Sequence, residues 1–177
     1  MAFIFILAFC LLGMLFILFM KNPIIKMVGD DNVLVNHLKN AKWFQNHWRS
    51  GIFLFCLNAV LFFSTIFLLY GFMHFLIPYI HFLVMAMAAI LSLYLWIGIG
   101  KAWRGTKRNR LKMGALGSSF FILMSLFFLY KLVTIKPLYP GEDLFMREIG
   151  LDLAIVVTTV AFISCFLFTG VSHKKER

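Results

Sequence analysis

Five stretches of this chain, 2–20, 51–70, 80–100, 113–132 and 149–171, run for about 20 residues each with almost no charge. At 1.5 Å per residue, about 20 helical residues cross a hydrocarbon core roughly 30 Å thick. No water reaches backbone N–H and C=O groups there, so each run must satisfy them internally, as a helix does. The expected fold is therefore an all-α integral membrane protein, a five-span transmembrane helix bundle in a single polytopic domain. Only 14% of the 177 residues are charged, against about a quarter in soluble domains, so a soluble globule is excluded.

Charge sets the expected orientation. The twelve residues 101–112 carry six Lys or Arg and no acid. Five further bases fall in 21–50 and three in 172–177, while only Lys131, Lys136 and Arg147 belong to the other side. Loops rich in Lys and Arg remain cytoplasmic, which predicts the N-terminus outside and the C-terminus inside. The first run carries its charges after it, at Lys21 and Lys26, unlike a secretory signal, and reads as an uncleaved anchor. Net charge of +10 would suggest nucleic acid in a soluble protein. Here the bases flank apolar runs, and anionic headgroups are their expected partner, not nucleic acid.

The stretch 32–49 reads as one amphipathic helix in the cytoplasmic interface, with Asp30 or Asp31 as its cap. On a helical wheel Val33, Leu34, Leu38, Ala41, Phe44 and Trp48 share a face, and Lys39, Lys42, Asn36, Asn40, Asn46 and His47 share the other. Val35 and Trp43 fall out of place. Lys39, Lys42 and Arg49 would join Lys101, Arg104, Lys107, Arg108, Arg110 and Lys112 in a basic collar contacting anionic lipid.

Polar residues inside the runs are the candidates for function, because charge in hydrocarbon is costly. Tyr70, His81, Lys131 and Asp152 lie at similar depth near the outer ends and form a candidate polar cluster. His74 and His81 are seven apart, but Pro78 stands between them, and no haem or metal site is expected. Asn58 sits deep enough for its amide to need an interhelical partner. Gly114, Ser118 and Ser125 share one helix face, as do Ala88 and Ser92; such small residues permit close helix contact.

Patterns of chemistry are missing: the sequence has no GxSxG, HExxH, Walker or GxGxxG motif. Cys10, Cys56 and Cys165 all lie within apolar runs, without the spacing of a metal site or a disulfide framework. No cofactor is expected. The leading expectation is a non-enzymatic accessory or regulatory subunit that packs against another membrane component or a second copy. Transport of a small solute or ion through the outer polar cluster is one alternative. A membrane-embedded enzyme acting on lipid or quinone, using His74, His81 or Asp152, is another. A bacterial cell membrane is the expected location; Lys174-Lys175-Glu176-Arg177 offers an ER-retrieval alternative.

Overall fold

The computed structural model describes residues 32–73, 80–137 and 143–171. The first apolar run, Cys10, Asp30, Asp31, His74 and the basic tail lie outside them. Described residues form helix α1 (Val33–Asn40), a 3-10 turn (Lys42–Gln45), and long helices α2 (His47–Met73), α3 (Ile80–Ala102), α4 (Lys107–Val133) and α5 (Phe145–Gly170). They contain no strand. The four long helices are apolar enough and long enough to cross a membrane, at 23 to 27 residues. This chain is an integral membrane protein.

Helix starts follow from short polar side chains. Asn32 Oδ1 accepts from Leu34 N at 3.1 Å, Asn46 Oδ1 from Trp48 N at 3.0 Å, and Thr106 Oγ1 from Asn109 N at 3.4 Å. Asp143 Oδ1 accepts from Phe145 N at 2.9 Å ahead of α5. Each satisfies an N–H that the first helical turn leaves open. Asn32 caps α1, the role expected of Asp30 or Asp31.

The long helices extend past the apolar runs at their charged ends, to His47, Lys107 and Phe145, because a helix can continue once its side chains reach water. Around the bundle the order is α2, α4, α5, α3, with α4 and α5 in the most extensive contact. Helices α3 and α4, consecutive in sequence, therefore stand diagonally. The turn joining them, 103–106, crosses the basic end of the bundle, and Trp103 is buried beneath it at 3% exposure.

Burial is uneven along the helices. Leu54, Trp96, Ile97, Ile99, Met113, Phe120, Phe121, Cys165 and Phe168 form a core confined to the half nearest the basic turn. Toward the far end Phe67, Phe82, Leu83, Leu126, Val133 and Met146 are exposed. The composition of each half gives the reason. Gly98, Gly100, Gly114, Gly117 and Gly170 all lie in the basic half, where small residues let backbones approach. A Cβ on Gly114 would sit 2.9 Å from Gly170 Cα and 3.0 Å from its N.

The stretch 32–49 is not one helix. Extended backbone at Ala41 (ψ 108°) and Asn46 (ψ 120°) breaks it, and residues from His47 belong to α2. Each break resets the wheel. Past the first Phe44 is buried, and past the second Trp48 is 62% exposed; ahead of both Val35 is buried because α1 lays Leu34 and Val35 against Gly98 of α3, leaving Val33 84% exposed. Tertiary contacts hold the broken form alongside α3. Asn32 Nδ2 donates to Tyr94 OH at 2.6 Å, and Leu34 packs where Gly98 has no side chain. Gln45 Nε2 donates to Ala102 O at 3.5 Å while its Oε1 accepts from Arg104 N at 3.0 Å.

Candidate functional site

Asn58 is 1% exposed and joins all four long helices. From α2 its Nδ2 donates to Gly117 O of α4 at 3.0 Å and lies 3.5 Å from Cys165 Sγ of α5. Its Oδ1 accepts from Trp96 Nε1 of α3 at 2.8 Å. The amide thereby uses both its donor group and its acceptor in a place without water. Rings close around it: Trp96 meets Phe121 edge-on at 5.9 Å.

About two helical turns toward the basic end along α4 lies a second node. Arg110 is 9% exposed; its Nε donates to Thr169 O at 2.9 Å and its guanidinium NH2 group to Gly100 O at 2.6 Å. Gly100 and Thr169 occupy the last turns of α3 and α5, where carbonyls lack intrahelical partners and the dipoles end negative. One guanidinium fork therefore caps two helices from a third. Arg110, expected in the lipid-facing collar, points into the bundle instead. A wheel assigns a base at a span's edge to the headgroups by default; the helix ends that draw this one inward belong to two other helices, α3 and α5, and no wheel of α4 shows them.

The other collar residues remain on the surface of the basic end. Lys42, Arg49, Arg104, Lys107, Arg108 and Lys112 are exposed, and Lys39 and Lys101 half-buried. Described residues at this end include no carboxylate. Trp43 and Trp48, both exposed, stand among these bases in the manner of interfacial aromatics.

The residues of the expected polar cluster lie toward the far end. His81 is exposed and meets the Phe82 ring at a 41° tilt, 4.1 Å between centroids, and Lys131 lies 5.7 Å over the Phe127 ring. Asp152 is half-buried, and Tyr70 is 64% exposed. Among the described residues no hydrogen bond or ion pair joins His81, Lys131 and Asp152, and no three His, Cys, Asp or Glu side chains gather to hold a metal.

Small residues divide by half. Gly114 and Ser118 are buried against their neighbours, and Ser125 Oγ lies 3.4 Å from Thr159 Oγ1 of α5. Ala88 and Ser92 are only half-buried on the looser part of α3. A groove of about 530 Å³ opens between α1, α2 and α3, walled by Leu34, Phe53, Leu57, Leu95 and Ile99, with Asn32 and Tyr94 at its edge.

Sequence reasoning passed over Trp96, Trp103 and Gln45, and took Cys165 only as a thiol within an apolar run, without its contact to Asn58. A Trp–x6–Trp spacing at the charged end of a span was the available signal for the two indoles, whose N–H groups need acceptors when buried. The comparisons add no relative: no known family, curated protein or solved structure matches the chain.

Proposed function

We propose that this protein is a five-span, non-enzymatic accessory or regulatory subunit of a cell membrane, acting by packing its far half against another membrane component. In this reading the basic end is cytoplasmic, the N-terminus lies outside and the C-terminus inside. The segment 32–49 lies at the inner boundary, and its bases with those of 101–112 favour anionic lipid. One observation carries the proposal: in the basic half the buried Asn58 and Arg110 side chains join the helices to one another, while the far half leaves large apolar side chains uncovered on every long helix. Phe63 and Phe67 of α2, Leu83 and Met87 of α3, Leu126 and Phe127 of α4, and Met146 and Val157 of α5 are each at least 45% exposed. Lipid solvates such faces, but shape-matched protein does so with better packing. Mild extraction, crosslinking and mass spectrometry should recover a stoichiometric membrane partner or a defined homo-oligomer. A monodisperse monomer under all mild conditions contradicts the proposal.

A further inference from the structure

The turn that crosses the basic end has features its packing does not account for. Trp103 is 97% buried, and its indole Nε1 is buried without a hydrogen-bond partner. A buried donor without an acceptor is destabilising, and nearly all such groups in folded proteins are paired. The indole edge lies under Gly105, where a Cβ would be 3.2 Å from Nε1. Directly after it, α4 opens with Thr106 as cap and Lys107 and Arg108 in its first turn, with no acid there. Cations at the positive end of a helix dipole oppose the field, unless an anion sits between them. Thr106 occupies only the Asn109 N–H, so the backbone N–H groups of Lys107 and Arg108 remain open. Arg104, Lys107 and Arg108 are exposed with no acidic side chain to meet them among the described residues at this end.

We infer that 103–108 binds the phosphate group of a membrane phospholipid. The oxyanion would rest on the N–H groups of Lys107 and Arg108, flanked by the Arg104, Lys107 and Arg108 side chains. One oxygen would take the Trp103 indole N–H as the Gly105 backbone rotates aside. Helix N-termini bind phosphate through this combination of free amides and dipole, and guanidinium groups add paired donors. The inference deepens the proposed lipid preference of the basic end and is tested without reference to membrane orientation.

The experiment uses the full chain, with ¹⁵N-indole tryptophan, in maltoside micelles that contain no phosphate. Its four indole N–H resonances are assigned from Trp43→Phe, Trp48→Phe, Trp96→Phe and Trp103→Phe, the first three leaving Trp103 identifiable by elimination should the last not fold. Trp96, bonded to Asn58, reports an intact fold. Titrated phosphatidylglycerol should shift the Trp103 resonance saturably while Trp96 stays in place. Replacing Arg104, Lys107 and Arg108 together by Gln should weaken the response by roughly fivefold for each charge removed. A fatty acid of equal charge should leave Trp103 unmoved. An equal response to fatty acid would show a charge effect and overturn the site; saturation by inorganic phosphate alone would overturn its assignment to lipid. An unmoved Trp103, or four indoles moving together, would also overturn it.

Discussion

At the scale of residues, the side chain whose loss matters most is Asn58. Replacing it by Leu leaves the Trp96 N–H without an acceptor in a dry core and should lower stability by about 1–3 kcal/mol. Removing both partners is less harmful than removing one, because an orphaned donor is the larger penalty. Asn58→Leu combined with Trp96→Phe should therefore lose less than the two single variants summed, with a coupling on the order of 1 kcal/mol. Reversible unfolding of the four proteins in bicelles measures it; strict additivity would show that the 2.8 Å contact carries no stability. An amide in an apolar run is conspicuous in the sequence. Its partners are not, because they are a backbone carbonyl, an indole and a thiol from three other segments. Arg110 shows the converse. As one base among six it has no mark of its own, and only the arrival of two helix ends beside it sets its role.

At the scale of elements, two features hold the basic half together. The first is the contact of α4 with α5 at Gly114. Gly114→Ala places a methyl group against the Gly170 backbone, which cannot yield as a side chain would, and should destabilise by about 1–3 kcal/mol. Gly150→Ala, in the same bundle with nothing within 4 Å of the added atom, should be neutral or stabilising by up to about 1 kcal/mol through helix propensity. Equal effects in thermal unfolding would remove close approach as the explanation. The second is the Arg110 fork. Arg110→Met should raise hydrogen exchange at 100–104 and 169–171, where the last turns of α3 and α5 lose the guanidinium that caps their carbonyls, and leave 60–70 unchanged. Uniform acceleration along the chain would mean global destabilisation without a local capping role. The long helices were readable because hydrocarbon admits few backbone forms. Their ends were not, since helices continue past the apolar runs into charged residues. Least readable was 32–49, where one Gln and two extended residues fix a path that a continuous wheel cannot express.

At the scale of the whole molecule, packing is graded from one end to the other, and the gradient follows glycine. The basic half is closed by small residues, two polar nodes and the diagonal turn; the far half carries bulky Phe, Leu and Met and remains open. Composition alone signalled a membrane protein, but not this polarity, which arises only when the four spans are aligned side by side. The central claim is that the open half is where another membrane component packs. Site-specific photo-crosslinking in native membranes addresses it directly, with the probe at Phe67, Leu83 or Leu126 in the far half and at Ile52 or Leu111 near the basic end, all exposed. The account predicts protein adducts of one defined mass from the three far-half positions and lipid adducts alone from the other two. Lipid adducts alone from all five, or protein adducts independent of position, would contradict it.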